Sequence, residues 1–220
     1  MIKIYFLLFI IYSFLGWLFE VIITYNKKEG FVNRGFLLGP YCPIFGVTAL
    51  IMIVTLSSIK NYFVLFFTAF VIASIVEYIT SYLMEKIFKA RWWDYSKEFF
   101  NLNGRICLGA SILFGVFGIS LLKIINPFIL GNLSKLNINL INYLFYIIFP
   151  LFIIDIVISF NVILKVKKTF KFLKSDNTRD ITEKVKEALN RKKLTKRFIK
   201  AFPNFKVIVK DISKKFSNKK

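Results

Sequence analysis

Long runs of apolar residues constrain this chain more than any other feature. Five such stretches occur, at roughly 4–25, 42–59, 62–87, 105–125 and 143–165. A bilayer-spanning helix needs about 20 apolar residues in a row, whereas a barrel strand alternates polar and apolar residues over about ten positions. The sequence therefore predicts an all-α, polytopic membrane helical bundle, with about five transmembrane helices forming a transmembrane domain over residues 1–165.

The basic residues are concentrated after the last apolar stretch. Of the 32 Lys and Arg, 20 lie in residues 165–220 against five acids, so this segment carries +15 of the total net charge of +20. We expect residues 166–220 to form a basic cytoplasmic tail with an amphipathic helix over about 178–202. Such a segment beside a membrane span favours the lipid bilayer, and anionic lipid in particular, as its partner. No nucleic acid is expected, because no nucleic-acid-binding fold accompanies the charge.

Lys and Arg also predict the orientation of the spans, since short cytoplasmic loops are enriched in both. With five spans and a cytoplasmic tail, segments 26–41 and 88–104 also face the cytoplasm. They and the adjoining helix ends carry eight basic residues, against four on the other side, which are Lys3, Lys60, Lys123 and Lys135. The prediction is a multipass protein of the plasma membrane, with its N-terminus outside and its C-terminus cytoplasmic.

Several chemistries are excluded by what the sequence lacks. It has no His, which removes Ser-His and Cys-His nucleophile pairs, His-ligated zinc and His proton relays. Its two cysteines, Cys42 and Cys107, are too few for a disulfide framework. It has no GxxxxGK[ST] loop, so hydrolysis of ATP by the P-loop route would require another chain. No cofactor and no metal site are predicted.

Residues 31–46, FVNRGFLLGPYCPIFG, interrupt the apolar pattern with glycines, prolines and one arginine. Irregular backbone at membrane depth is tolerated only where it is buried in protein or lines a wet cavity. We therefore predict a re-entrant or interfacial element over 31–41, followed by a helix that begins at Pro43. The free N–H groups of that helix and Arg34 together suit an anionic group. A tight turn with Arg34 paired to Glu20 is the structural alternative.

Polar residues within or beside the spans supply the other candidates, since a charge inside a membrane usually faces the bundle interior and has a partner. Glu20 and Glu77 lie on stripes of small and polar residues in the first and third spans, and Asp155 lies near the middle of the fifth. The candidate substrate-binding residues are Glu20, Arg34, Glu77, Trp92, Trp93, Asp94, Arg105 and Asp155.

Each candidate also has a structural interpretation. The acids can form ion pairs that lock the bundle, or can be satisfied by neighbouring Ser or Asn, and the RWWDYS tryptophans can belong to an interfacial aromatic belt. On the fourth span, the face carrying Cys107, Ser111, Gly115 and Gly118 predicts a helix-packing seam of small residues.

Five motifs occur in a characteristic order: FLGWLFE (14–20), NRGFLLGPYCPIFG (33–46), VEYITSYLMEKIF (76–88), RWWDYS (91–96) and FNLNGRICL (100–108). With these motifs the chain resembles, over about residues 1–165, the bacterial family named putative ABC-transporter type IV permease. The resemblance implies a small multipass protein of the bacterial plasma membrane, mainly in Gram-positive bacteria, with a transport role. It implies no substrate and no catalytic residue.

Three functions remain open at this point. The first is a permease-type transport component with a polar site on the cytoplasmic side, working as a homodimer or with a separate ATPase subunit, because five helices are few for a complete transporter. The second is an intramembrane enzyme acting on a lipid or another anionic, membrane-borne substrate, with Cys42 as a candidate nucleophile. The third is a non-catalytic scaffold whose charges hold the helices together.

Overall fold

The structure, a computed structural model, describes residues 1–25, 32–33, 35–88, 90–172 and 206–207. Its elements are α1 (Ile2–Ile23), α2 (Pro43–Leu56), α3 (Tyr62–Phe88), β1 (Ala90–Arg91), α4 (Leu108–Ser120), a π-helical turn (Leu121–Ile125), α5 (Asn126–Leu133), α6 (Ile138–Phe172) and β2 (Lys206–Val207). Four helical segments of this described part are long and apolar enough to cross a membrane: Ile2–Ile23, Tyr62–Phe88, Leu108–Leu133 and Ile138–Val162. The predicted helical membrane bundle is confirmed.

The first hairpin packs α1 against α2 at very close range. A Cβ on Gly46 of α2 would collide with the Ser13 hydroxyl of α1. Cys42, the residue that caps α2, donates its backbone N–H to the Ser13 carbonyl oxygen at 2.9 Å. Four residues after Ser13, the Trp17 indole donates to the Asn33 side-chain oxygen at 2.8 Å. A small residue four positions after the capping cysteine therefore allows the two helices to touch.

The second hairpin, α3 with α4, repeats this arrangement. The Ser74 hydroxyl donates to the Ser111 hydroxyl at 2.8 Å, and Ser111 again lies four residues after a buried capping cysteine, Cys107. Four residues after Ser74, the Tyr78 hydroxyl accepts a hydrogen bond from the Asn103 side chain at 2.9 Å. Both hairpins are thus built as a long helix, a returning loop and a shorter helix that begins at a buried cysteine.

The loops of both hairpins return alongside the membrane-spanning helices that precede them. Ser13 lies ten residues before the end of α1, which corresponds to about 15 Å of helix rise. Tyr78 lies ten residues before the end of α3, so Asn103 also reaches back about 15 Å. The contacts of the first loop are those predicted for a re-entrant segment. The second loop belongs to the segment 88–104, which the charge pattern predicts only as a cytoplasmic connection.

Three of the helical segments differ in length from the spans that the sequence predicts. α2 begins at Pro43 as expected, but its 14 residues cover only about 21 Å. The fourth apolar segment begins at Leu108 and continues past Asn126–Pro127 to Leu133. Pro127 has no backbone N–H and therefore cannot donate a helical hydrogen bond. A π-helical turn directly before Asn126 changes the hydrogen-bonding pattern locally, and the helix continues past the proline. α6 extends beyond 143–165 at both ends.

The apolar core lies toward one end of the bundle. Its buried side chains come from α1, α2, α3 and the helix around the π turn, and include Leu8, Met52, Leu65, Ala69 and Leu121. β2 pairs antiparallel with β1, with Ala90 opposite Val207. This pairing brings part of the tail back beside the end of α3, whereas the predicted tail helix at 178–202 lies outside the described residues.

Candidate functional site

An ion-pair network fastens the second loop to the end of α3. The Glu85 carboxylate forms ion pairs with two arginines, Arg105 at 2.9 Å and Arg91 at 3.2 Å. Arg91 also forms an ion pair with Asp94 at 3.6 Å. The Arg105 guanidinium lies 5.5 Å from the ring centre of Tyr78 and at the same distance from that of Tyr82. Two guanidinium groups on one carboxylate, with one of them held over aromatic rings, fix the loop in one position.

The turn that carries Arg105 depends on a glycine. Gly104 has a φ of +66°, a left-handed conformation that side chains rarely adopt, and a Cβ there would meet the Ser96 hydroxyl and the Asp94 carboxylate. The Trp93 indole donates to the Arg105 carbonyl oxygen at 3.1 Å and closes the turn from the other side. Trp93, Asp94 and Arg105, all predicted site residues, therefore meet here.

Trp92 points away from this network into an aromatic cluster. It is buried, and its ring packs against Phe36 of the first loop at 5.5 Å and against Phe88 at 6.0 Å. Phe160 of α6 completes the cluster through its contacts with Phe36 and Phe88. Trp92 is thus a buried packing residue that joins the two loops to α6, and the tryptophan pair does not form an exposed belt.

Glu77 lies deeper in α3 and is only 7% exposed. Its Oε1 accepts a hydrogen bond from the Tyr95 hydroxyl at 3.2 Å. Its Oε2 is buried and has no hydrogen-bond partner among the described residues. Buried polar atoms are nearly always paired, so an unpaired carboxylate oxygen marks a place where the structure gives up stability.

Glu20 of α1 approaches the same place. Burial raises the pKa of the Tyr95 hydroxyl, and the nearby carboxylates of Glu77 and Glu20 and the thiol of Cys107 raise it further. Glu20 and Cys107 therefore lie near enough to Tyr95 to act on it electrostatically, and Glu20, Glu77, Tyr95 and Cys107 are hereafter called the carboxylate cluster. It lies where α1, α3, the second loop and the start of α4 meet.

Asp155 forms a separate and fully satisfied centre. Its two carboxylate oxygens accept hydrogen bonds from the backbone N–H groups of Leu38 (2.8 Å) and Gly39 (2.7 Å) and from the hydroxyls of Tyr41 (2.6 Å) and Ser159 (2.8 Å). Four hydrogen bonds saturate a carboxylate, so Asp155 is occupied in binding the first loop to α6. It does not contribute to the carboxylate cluster.

The structure thus divides the described site residues into four groups. Glu20 and Glu77 belong to the carboxylate cluster, Asp94 and Arg105 to the ion-pair network with Trp93, Trp92 to the aromatic cluster, and Asp155 to the anchor of the first loop. Arg34 lies outside the described residues. Among the described residues no group of three or more Cys, Asp or Glu side chains is arranged to hold a metal ion.

Two partners that define these centres are not among the site residues predicted from the sequence. Tyr95 belongs to the RWWDYS motif, where its aromatic ring suggests an interfacial belt, and nothing local indicates that its hydroxyl faces Glu77. Ser159 could have been found, because it lies four residues after Asp155 and therefore on the same helix face.

A helical bundle with four span-length apolar segments, two returning loops and buried carboxylates defines an integral membrane protein of the transporter-like class. The chain belongs to the family described as "Putative ABC-transporter type IV", whose model matches residues 7–160 of the 220. No curated protein and no solved structure matches the chain.

Proposed function

We propose that this protein is the permease-type membrane component of a transport system, and that the carboxylate cluster is its polar site. Family membership supports the transport class. The observation that carries the site is Glu77, a carboxylate 7% exposed whose Oε2 has no hydrogen-bond partner among the described residues. Polar groups kept at membrane depth despite their unfavourable free energy are typically part of a substrate or ion path.

The returning loops explain why a site would form at this position. Both loops bring irregular backbone, and with it the start of a shorter helix, to the depth of Ser13 and Tyr78. Interrupted helices of this kind commonly surround the binding sites of transporters, because unpaired backbone groups become available there. The carboxylate cluster lies at the second of these helix starts, next to Cys107.

The charges favour a cationic or proton-donating ligand at this site. Glu77 supplies a buried carboxyl group there whose Oε2 has no hydrogen-bond partner among the described residues, whereas the two nearby arginines pair with Glu85 and Asp94. An anion would compete with Glu85 and Asp94 for these arginines. The arrangement therefore differs from the anionic site suggested by Arg34 together with a helix start.

We also infer the orientation in the membrane from the excess of basic residues. The N-terminus would lie outside the bacterial plasma membrane, and the basic tail would lie in the cytoplasm on anionic lipid. The ATPase would be a separate chain, and a second copy or a partner subunit would complete the transport path.

A non-catalytic scaffold is the second candidate function, and Asp155 is the observation that favours it. Its carboxylate is saturated by four hydrogen bonds, and the ion pairs of Glu85 similarly hold a loop in place. No comparable observation favours an intramembrane enzyme. Cys42 is buried against Trp17 and Val21 where it caps α2, which does not suit a nucleophile.

The proposal is tested by transport phenotype in cells of the source bacterium that lack this chain. Intracellular and extracellular small molecules are profiled after complementation with wild type, Glu77→Gln or Glu98→Gln, the last being a matched change at an exposed loop position. We expect wild type and Glu98→Gln to restore the distribution of at least one cationic or proton-coupled solute, and Glu77→Gln to fail at equal membrane abundance. Full restoration by Glu77→Gln would exclude the carboxylate cluster as the site.

A further inference from the structure

Two adjacent phenylalanines project from the loop between α3 and α4. Phe99 and Phe100 are each 74% exposed, and their rings contact each other edge to face with centres 4.4 Å apart. Leu102, two residues on, is also largely exposed. We propose that Phe99 and Phe100 insert into the acyl chains of the adjacent membrane leaflet, so that residues 91–107 form a re-entrant loop in direct contact with lipid.

The depth of the loop supports lipid as the surrounding medium. The Phe99 carbonyl oxygen accepts a hydrogen bond from the backbone N–H of Leu108, the first residue of α4, at 3.4 Å. Asn103 binds Tyr78, which lies seven residues, about 10 Å of helix rise, before the charged end of α3 at Glu85. The phenylalanine pair is therefore level with the apolar part of α3, where the outer surface of the bundle faces hydrocarbon.

The groove between the second loop and α3 is also mainly apolar. It is an open groove of about 310 Å³, lined mainly by apolar residues such as Phe70 and Ile75 of α3 and Leu102 and Ile106 of the loop. The two polar residues in its lining, Ser74 and Tyr78, have their hydroxyls hydrogen-bonded to Ser111 and Asn103. Largely apolar walls fit an acyl chain.

The loop holds the two rings outward by hydrogen bonds of its own. Asn101 donates to the backbone carbonyls of Ser96 (3.3 Å) and Glu98 (2.9 Å) and accepts from the Gly104 N–H (3.1 Å). Phe100 adopts a φ of +46°, which is uncommon for a bulky residue and points to a conformation imposed by function. Backbone groups paired inside the loop are a condition for lying in lipid.

Composition of the exposed surface favours lipid over a second protein. Charged Lys97 and Glu98 directly precede the phenylalanines, an order that suits the boundary between headgroups and acyl chains. Contacts between membrane helices are usually built from small residues that allow close approach, whereas this surface presents Phe99, Phe100 and Leu102. The first loop, by contrast, is covered by α6 through Asp155.

Cysteine labelling in broken membranes tests whether position 99 faces lipid or water, without assuming which side of the protein faces the cytoplasm. Phe99→Cys and Lys97→Cys are treated with a membrane-impermeant maleimide, with wild type as background because Cys42 and Cys107 are buried. We expect Lys97→Cys to react readily and Phe99→Cys at least tenfold more slowly, until denaturation in SDS makes the two equal. Equal rates in intact membranes would overturn the proposal, because Phe99 would then face water.

Photo-crosslinking identifies the neighbour directly. p-Benzoylphenylalanine in place of Phe99 keeps an aromatic side chain at the position, and its photoproducts are analysed by gel and by mass spectrometry. We expect a phospholipid adduct on the monomeric chain. A product at twice the chain mass, or an adduct to a different protein, would overturn the proposal in favour of a protein interface.

Discussion

Asp155 and Glu77 are two buried carboxylates with opposite surroundings. Asp155 is 8% exposed and accepts four hydrogen bonds, two of them from the backbone of the first loop. Glu77 is 7% exposed and accepts one, from Tyr95, with its second oxygen unpaired in the described part of the chain. A saturated carboxylate stabilises the fold, whereas an unsaturated one destabilises it, and this difference is why we propose a functional role for Glu77 and a structural one for Asp155.

Asp155→Asn is expected to destabilise the protein strongly. The change removes the charge and turns one acceptor oxygen into an N–H donor that faces the donors of Gly39 and Tyr41. A hydrogen bond to a charged group contributes roughly 1.5–3 kcal/mol, so we expect a loss on the order of 3 kcal/mol and a fall in melting temperature of roughly 6–12 °C in detergent. Tyr41→Phe, which removes one of the four bonds, should lower the melting temperature less. An Asp155→Asn protein that melts like wild type would contradict the anchoring role.

The sequence predicts these residues as candidates but not their roles. Glu77 is recognisable from its stripe of small and polar residues, and Asp155 from its isolation in an apolar helix. The difference between them depends on Leu38, Gly39 and Tyr41, which lie more than 110 residues from Asp155 in the chain. Such pairing is decided by how the hairpins pack against α6, which no local pattern contains.

At the scale of elements, small residues set how closely the paired helices approach. Gly115 and Gly118 of α4 lie against Phe66 and Ala69 of α3, and a Cβ on Gly118 would collide with the Ala69 side chain. The packing seam predicted from the spacing of small residues on the fourth span is therefore confirmed. The π-helical turn before Pro127 could not be predicted, because Asn-Pro ordinarily favours a helix end.

Gly118→Leu is expected to separate α3 from α4 and destabilise the bundle. Inserting a side chain into a packed contact destabilises by about 1–3 kcal/mol, which corresponds to a melting temperature lower by roughly 2–12 °C. Gly131→Leu is the matched control, since a Cβ at Gly131 meets no atom within 4 Å. Thermal unfolding in detergent compares the two. An equal effect of both substitutions would show that the α3–α4 contact is not tightly packed.

At the scale of the whole molecule, the two ends of the bundle differ in character. Apolar packing around Leu8, Leu65 and Leu121 dominates toward one end, and the carboxylate cluster and the ion-pair network lie toward the other. The basic residues show the same asymmetry in the sequence, with eight on the side predicted to be cytoplasmic and four on the other. The polar end is therefore expected to face the cytoplasm.

Fusions test this orientation. Green fluorescent protein attached after Lys220 should fluoresce, and alkaline phosphatase at the same position should be inactive, because both report a cytoplasmic C-terminus. Phosphatase attached after Asn137, in the short connection before α6, should be active. The reverse pattern of phosphatase activity would contradict the orientation and would place the basic tail outside.

The central claim, that the carboxylate cluster is a functional site and not a structural ion pair, is tested most directly by the thermal stability of Glu77→Gln. The amide keeps an acceptor for Tyr95 and replaces a buried carboxyl group that has one unpaired oxygen in the described part of the chain. We therefore expect Glu77→Gln to melt at the same temperature as wild type or higher, in the same detergent in which Asp155→Asn melts several degrees lower. A fall for Glu77→Gln as large as that for Asp155→Asn would contradict the claim, because the carboxylate would then be holding the bundle together.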